Sequence, residues 1–283
     1  MRFENSRDAI GDTVPQSSPG NSKWSELTLR AGTAFVLMGP ALAALYFGPP
    51  YSDVLVLIAC GLAAWEWARL CGRGTLGLPG GLTIAAVLAA IVAGIVREYS
   101  IGGWLIAVGA MAVTLLATRL RMAEAVWFGL GVIYLAAAGL AFVWLRHDPE
   151  FGRAMVLWLV VVVSVTDTGA YFAGRGLGGP KLAPSISPGK TWAGLFGGML
   201  AAAAAGLVAA LLIGHEILTL IVASLALAIM SQVGDLFESS LKRRFGAKDS
   251  GSLIPGHGGV LDRIDGLLAG ALLVGGVIWL VKT

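Results

Sequence analysis

The sequence predicts an all-α polytopic membrane protein with about nine transmembrane helices. Hydrophobic residues make up 57% of the 283 positions and charged residues 13%, against roughly 45–50% and 25% in ordinary soluble proteins. The mean hydropathy is +0.80. The apolar runs approach the ~20 residues that one bilayer crossing needs, and they lack the alternation of a membrane β-barrel. A disordered chain, an ordinary soluble enzyme and a basic nucleic-acid-binding domain are therefore excluded.

Nine apolar runs predict the helices in chain order. Each run is rich in Leu, Ala, Val and Gly, and a helix satisfies its own backbone hydrogen bonds, as the lipid interior requires. The chain contains 40 glycines, and small residues suit close contact between helices in lipid. The predicted helices span residues 27–48, 52–70, 80–96, 101–118, 125–145, 154–173, 193–213, 217–237 and 259–281.

Lysine and arginine set the predicted orientation, because cytoplasmic loops carry an excess of these residues. With nine helices, 16 of the 20 basic residues fall on one side, which indicates a cytoplasmic N-terminus. This asymmetry accounts for the net charge of +3 without a nucleic-acid partner. Residues 1–25 are polar and lack the apolar core of a signal peptide, so they predict a flexible cytoplasmic tail.

Polar residues divide the rest of the chain into two regions. Residues 26–150 predict transmembrane helices that contain few polar residues and are joined by short links. Residues 151–283 are the predicted catalytic transmembrane region, because most polar residues within or beside apolar runs lie in 164–266. Cys60 and Cys71 are the only cysteines, and they fit neither a disulfide framework nor a zinc site.

The connection between the eighth and ninth predicted helices, residues 239–265, concentrates charge. Gly256, Gly258 and Gly259 flank His257, which suggests a backbone that approaches a ligand closely. For the bases alone, a loop touching anionic lipid head groups is the alternative. The charged residues of this segment are Lys242, Arg243, Arg244, Lys248, Asp249, Asp262, Arg263 and Asp265.

Carboxylates at the ends of these two helices predict a cation site. Asp235, Glu238 and Ser239 are spaced i, i+3 and i+4, so they share one helix face, as do Asp262 and Asp265. Mg²⁺ prefers oxygen ligands and commonly uses one or two carboxylates together with substrate phosphates. A salt bridge from Asp235 to a base of the loop is the alternative.

Asp167 interrupts the sixth apolar run, and a lone intramembrane Asp is a functional candidate. Its alternative role is a pairing with Arg175 or Arg263. The loop that follows, residues 174–192, combines Gly, Ser and Lys, which suit phosphate binding through backbone amides and charge. It is not a Walker motif, because Pro184 stands where that spacing requires glycine.

Other polar residues receive plain structural interpretations. Glu66 and Arg69 are predicted to pair at a cytoplasmic helix end, with Trp65 and Trp67 in the interfacial aromatic belt. No role is expected for the polar residues of the outside links, Asp53, His147 and His215.

The 27 residues from Ser239 to Asp265 resemble the signature of phosphatidate cytidylyltransferases, also called CDP-diacylglycerol synthases. The segments DTGAYFAGR, SPGKT and QVGDLFES are similar to that family in the same order. The clear resemblance covers roughly residues 160–270. One position departs from the family pattern S-P-x-K-T-x-E-G, because Ala193 stands at the Glu.

The resemblance implies that CTP and phosphatidate react to give CDP-diacylglycerol and pyrophosphate, in phospholipid biosynthesis at a bacterial-type inner membrane, with the active site facing the cytoplasm. A membrane lipid and a soluble polyanion as substrates suit polar motifs gathered on the basic side of a helical bundle. An ion-coupled transporter or flippase is the runner-up. One-sided clustering disfavours it, because alternating access needs a site near the midplane. An inactive scaffold is the third possibility.

The resemblance also implies roles for individual residues. Asp235 and Asp262 are the first choices as ligands of Mg²⁺, with one or two metal ions, followed by Asp249, Asp265 and Asp167. Lys242, Arg243, Lys248 and Arg263 are expected to hold phosphates, and His257 to shape the nucleotide loop. Whether the protein is a homodimer is left open. The expected substrate-binding residues are Ser187, Lys190, Thr191, Ser239, Gly256, Gly258 and Gly259.

Overall fold

The computed structural model of the protein describes residues 38–254 and 258–282. In this part of the chain, nine helices and one two-stranded hairpin form the fold. Eight of the helices are long and apolar enough to cross a membrane, which confirms the all-helical polytopic prediction. The predicted tail, residues 1–25, lies outside the described residues, as does the first part of the run predicted at 27–48.

The helices follow the predicted runs closely. Helix α5 is continuous and contains a short π-helical stretch at Val132–Ala136. The elements are α1 Met38–Phe47, α2 Tyr51–Cys71, α3 Gly77–Ile95, α4 Tyr99–Arg119, α5 Ala125–Arg146, α6 Gly152–Leu177, β1 Lys181–Ala183, β2 Ser187–Thr191, α7 Trp192–Ile213, α8 Ile217–Arg244 and α9 Leu261–Lys282.

Two helix ends extend beyond the apolar runs that predict them. Helix α6 continues to Leu177, and α8 continues to Arg244, past the predicted end at 237. The last turn of α8 contains Lys242, Arg243 and Arg244, and cations are favourable at the C-terminal end of a helix dipole. Hydropathy marks the membrane-embedded part of a helix, whereas the helix itself ends where backbone hydrogen bonding ends.

Two buried clusters hold the bundle together. One lies among α2, α3, α4 and α5 and includes Leu241 and Leu261 from the ends of α8 and α9. The other lies among α6, α7, α8 and α9. Helices α6 and α7 make the most extensive contact, and a Cβ at Gly198 would lie 2.8 Å from the Thr166 carbonyl oxygen. The small residue therefore sets the close approach of these two helices.

Trp67 lies inside the bundle, so its predicted place in the interfacial belt is wrong. Its side chain is fully buried, and its ring packs against Tyr134 and Phe237. Its indole N–H donates to the Trp127 carbonyl oxygen at 2.8 Å. The hydroxyl of Tyr134, in the π-helical stretch, donates to the Asp265 carbonyl oxygen at 3.3 Å. Helices α2 and α5 thereby support the start of α9.

The bundle end formed by the link between α5 and α6 contains a buried polar pair. His147 Nε2 lies 2.9 Å from Asp53 Oδ1, and both residues are buried. The expectation that these residues have no role in the chemistry stays a prediction, but they have a structural one, because they join α2 to the end of α5. Nearby, the hydrogen bond from Lys282 lowers the pKa of the Asp148 carboxyl. These contacts close the end of the bundle opposite the charged segments.

Candidate active site

A cavity of about 700 Å³ opens where α6 and α8 end and where α7 and α9 begin. Because consecutive helices run antiparallel, these four termini meet at one end of the bundle. The cavity therefore collects charged residues from segments that are far apart in sequence. Its polar and charged lining consists of Asp167, Tyr171, Arg175, Lys190, Thr191, Gln232, Asp235, Glu238, Lys242, Asp249, Asp262, Arg263 and Asp265.

The β1–β2 hairpin carries Lys190 to the cavity. Residues 174–192 are predicted only as a loop, whereas Lys181 pairs with Thr191 and Ala183 with Ser187 in an antiparallel ladder. Thr191 then caps α7, because its side-chain oxygen accepts from the Gly194 amide at 3.0 Å. The ladder and the cap fix the backbone on both sides of Lys190.

Lys190 joins two groups of the cavity wall. Its ammonium donates to Gln232 Oε1 at 2.6 Å and lies 2.6 Å from Asp235 Oδ2. Gln232 in turn donates to Asp167 Oδ1 at 3.2 Å. Asp235 thus forms its salt bridge with Lys190 rather than with a base of residues 239–265, and Asp167 accepts a hydrogen bond from an amide of α8. Gln232 is a site residue that the sequence analysis missed, although it lies within the QVGDLFES motif.

Asp167, Asp235 and Asp265 form an acidic cluster around Lys190. Asp265 lies within electrostatic reach of both other carboxylates and of Lys190, and Asp167 is also influenced by Arg263. The Asp235 side chain is 36% exposed, so its oxygens are accessible from the cavity. The cluster combines accessible carboxylate oxygens with excess negative charge.

A second charged cluster centres on Lys242, whose side chain is 14% exposed. Its ammonium lies 2.5 Å from Glu238 Oε2 and 2.7 Å from Asp262 Oδ1. Asp262 also accepts from the Ser250 amide at 3.1 Å and from the Gly259 amide at 2.9 Å. Asp262 therefore holds the α8–α9 connection, of which residues 245–254 and 258–260 are described, to the first turn of α9. This role goes beyond the predicted one.

Glu66 is a second residue near the cavity whose contacts the sequence does not predict. Its predicted partner is wrong, because Arg69 instead donates to the Gly74 carbonyl oxygen and lies over the Trp65 ring. Glu66 is fully buried and contacts the α8–α9 connection. The available signal was a carboxylate inside an apolar run, which is costly unless it is paired or functional.

The structure brings most of the predicted site residues together and separates a few. Ser239 lies beside the acidic cluster, with its hydroxyl 3.4 Å from Asp235 Oδ1. Arg243 lies 3.5 Å from the Ile186 carbonyl oxygen, and Lys248 is exposed. Neither base lines the cavity.

The remaining predicted site residues lie in the β1–β2 hairpin, in the α8–α9 connection or outside the described part. Gly258 has a φ of +84° and sits against Asp262. Gly256 and His257 lie outside the described residues, and Ser187 begins β2.

The donor chemistry of the acidic cluster fits a hard divalent cation. Among residues 38–254 and 258–282, no three acidic, His or Cys side chains converge closely enough to form a ready-made metal cage. Mg²⁺ seldom needs one, because it commonly takes one or two carboxylates and completes its shell with water and substrate phosphates. Asp235, Asp265 and Asp167 can supply those carboxylates.

Comparison with known proteins gives consistent matches. The model of the family described as "Cytidylyltransferase family" matches residues 28–281. A curated protein named phosphatidate cytidylyltransferase from Pseudomonas aeruginosa is 36% identical over 271 residues, covering 89% of this chain and 93% of that protein. Proteins of the same name from Brucella suis and Haemophilus influenzae are 51% and 46% identical over 154 and 129 residues. In those two matches the chain spans 55% and 45% of the relative's length, which is about half.

Proposed function

The chain belongs to the cytidylyltransferase family, and on that premise we propose that it transfers the cytidylyl group of CTP to phosphatidate. The products are CDP-diacylglycerol and pyrophosphate. The observation that carries the proposal is the charged cavity at one end of a helical membrane bundle. A lipid substrate requires the bundle, and a polyanionic co-substrate requires the cations at its end. The comparisons give no support to an ion-coupled transporter or flippase.

The reaction needs charge stabilisation more than proton transfer. A phosphate oxygen of phosphatidate forms a bond to the α-phosphorus of CTP, and the bond from that phosphorus to the pyrophosphate oxygen breaks. A phosphomonoester has its second pKa near ~6, so the attacking oxygen is already largely anionic at neutral pH. The remaining tasks are to bring two anions together and to stabilise charge on the departing pyrophosphate.

The side chains of the cavity suit those tasks. Lys190 and Arg263 line the cavity beside the acidic cluster, and we assign them to phosphate binding. Asp235, with Asp265 and Asp167, would hold Mg²⁺. A bound Mg²⁺ supplies charge neutralisation at the phosphates. Lys242 is already engaged by two carboxylates, which favours a role in holding the site together beside the predicted role in phosphate binding.

One assay tests the proposed activity. Purified protein is incubated with radiolabelled CTP and phosphatidate in detergent, and lipid-extractable label is measured. We expect label in CDP-diacylglycerol together with release of pyrophosphate. Absence of product from folded protein, across a range of lipid and Mg²⁺ concentrations, would refute the proposal in favour of a scaffold.

Activity is expected to require Mg²⁺ or Mn²⁺, because the acidic cluster leaves carboxylates in excess over its lysine. EDTA should abolish turnover, and excess Mg²⁺ should restore it. The measurement is the initial rate of CDP-diacylglycerol formation at fixed free metal concentrations. Full turnover after complete metal removal would show that the cations of the protein suffice.

The cavity is proposed to face the cytoplasm of a bacterial-type inner membrane, on the basis of the distribution of Lys and Arg. Ser185→Cys and Ser252→Cys place thiols at exposed positions of this end. An impermeant thiol reagent should label them in inverted vesicles and leave them unlabelled in intact cells. Glu150→Cys, an exposed position of the opposite end, should show the reverse. The native Cys60 and Cys71 are buried, so background labelling is low. Labelling of Ser252→Cys in intact cells would overturn this orientation.

A further inference from the structure

Glu66 is a buried carboxylate held by neutral donors of the α8–α9 connection. Its Oε1 accepts from the Val260 amide at 2.9 Å, and its Oε2 accepts from the Leu261 amide at 2.8 Å. The Ser250 hydroxyl donates to Oε2 at 3.0 Å. These contacts link residues that are 184 to 195 positions apart in the chain. A side chain of α2 thus binds the segment that carries the strongest functional motif.

Three hydrogen bonds satisfy the buried side chain of Glu66. A buried charge is costly unless hydrogen bonds satisfy it, and hydrogen bonds to an ionised acceptor are about twice as strong as neutral ones. Val260 and Leu261 lie at the N-terminus of α9, where the helix dipole stabilises negative charge. Glu66 therefore caps α9 from a helix that is remote in sequence.

Two glycines of the connection leave room for the Glu66 side chain. A Cβ at Gly251 would lie 2.5 Å from Glu66 Oε1, and a Cβ at Gly259 would lie 2.5 Å from Oε2. Both distances are far shorter than any ordinary contact between carbon and oxygen. The structure therefore explains the glycine at position 259 without the approach of a nucleotide, because the backbone at residues 251 and 259 closes around the Glu66 carboxylate.

The same connection positions charged groups of the cavity. The Ser250 amide binds Asp262, and Asp249 lines the cavity immediately before it. Arg263 follows within the first turn of α9 and also lines the cavity. Displacement of Ser250 or of the α9 N-terminus would therefore move several charged side chains of the cavity lining together.

From this geometry we infer that Glu66 is a positioning residue, which fixes the α8–α9 connection and the first turn of α9 so that Asp249, Asp262 and Arg263 face the substrates. The inference rests on the proposed cytidylyl transfer for its kinetic consequence. The same contacts limit which groups are available to bind phosphate. The amides of Ser250, Gly259, Val260 and Leu261 are occupied by protein carboxylates, so side chains rather than this helix N-terminus receive the polyphosphate.

Glu66→Gln tests the inference, because Gln keeps the shape but turns an N–H₂ donor toward backbone N–H groups. We expect kcat to fall by about 10–100-fold, as for other residues that orient a catalytic shell. We also expect faster amide hydrogen exchange in the peptide that spans residues 250–261, because exchange reports local opening. The exchange measurement needs no substrate, so it tests the positioning even if cytidylyl transfer itself is refuted.

Glu124→Gln is the matched control. Glu124 also belongs to the N-terminal half and contacts α8, through Arg244 at 3.1 Å, but it does not touch the α8–α9 connection among the contacts described. Its variant should keep normal turnover and normal exchange in residues 250–261. Normal exchange in Glu66→Gln, or faster exchange with turnover near wild type, would overturn the inference.

Ser250→Ala provides a milder test if Glu66→Gln does not fold. This change removes one donor to Glu66 and leaves both α9 amides and the Ser250 amide in place. A severalfold lower kcat with faster exchange in residues 250–261 would support the inference. Wild-type turnover and exchange in Ser250→Ala, in the absence of folded Glu66→Gln, would count against it.

Discussion

Replacing Asp235 with Asn is expected to lower kcat by about two orders of magnitude or more, the loss typical when charge stabilisation at a phosphoryl centre is removed. Thermal stability should change little. The variant leaves Lys190, which is 16% exposed, without its carboxylate partner, but Lys190 keeps its hydrogen bond to Gln232 Oε1 at 2.6 Å. The measurements are kcat for CDP-diacylglycerol formation and Tm in detergent.

Asp148→Asn is the matched control for Asp235→Asn. Asp148 is also paired with a lysine, at 2.8 Å from Lys282, but at the opposite end of the bundle. Asn can keep the hydrogen bonds from the Glu150 and Phe151 amides, because its side-chain oxygen is also an acceptor. The control should keep normal kcat. Near-normal turnover of Asp235→Asn would instead move the search for the principal metal ligand to Asp265 and Asp249.

Asp262→Asn should behave differently from Asp235→Asn. Asp262 accepts from the Ser250 and Gly259 amides and contacts Lys242, so its loss weakens the α8–α9 connection as well as the chemistry. A fall in both Tm and kcat is the expected pattern. The comparison of the two variants separates a carboxylate that serves the substrates from one that also holds the site together.

Lys242→Met is expected to cost about 3–5 kcal/mol of stability, the usual penalty for removing one partner of a buried ionic pair. The change leaves Glu238 and Asp262, which are 2% and 7% exposed, without the cation that lies between them. Activity should be lost as well, because Asp262 lines the cavity and would lose the cation that holds it in place. Thermal unfolding in detergent and kcat at a temperature where the variant is folded are the measurements.

The double variant Lys242→Met with Glu238→Gln identifies the cause. Removing the second carboxylate charge should restore much of the lost Tm while activity stays low, since Asp262 remains without its cation. Arg244→Met is the control, because Arg244 is 51% exposed and an exposed ion pair contributes about 0–1 kcal/mol. A Lys242→Met protein with wild-type Tm would contradict the assigned role of Lys242.

The two charged clusters differ in the exposure and the pairing of their carboxylates. Around Lys190, carboxylates are accessible from the cavity and outnumber the lysine, which suits binding of a metal ion and a substrate. Around Lys242, two carboxylates share one buried ammonium and tie α8 to α9. Asp235 and Asp262 are both predicted as metal ligands, whereas the structure places them in different clusters. The variants above test that division.

The sequence alone determined the fold class, the helices and most of the segments whose charged residues line the cavity. These properties are local: a bilayer crossing needs about 20 apolar residues, and a charged residue inside such a run is costly wherever it occurs. The runs at 52–70 and 193–213 therefore predict α2 and α7 within a few residues. Residues 239–265 likewise stood out from their own composition and spacing.

Only the tertiary structure decided which groups meet. Asp235 pairs with Lys190 rather than with a base of its own segment, Trp67 is buried rather than interfacial, and Glu66 binds the α8–α9 connection rather than Arg69. Spacing along one helix reveals which side chains share a face, but it carries no information about the helix that packs against that face. Partners nearly 200 residues apart are set by how the bundle packs.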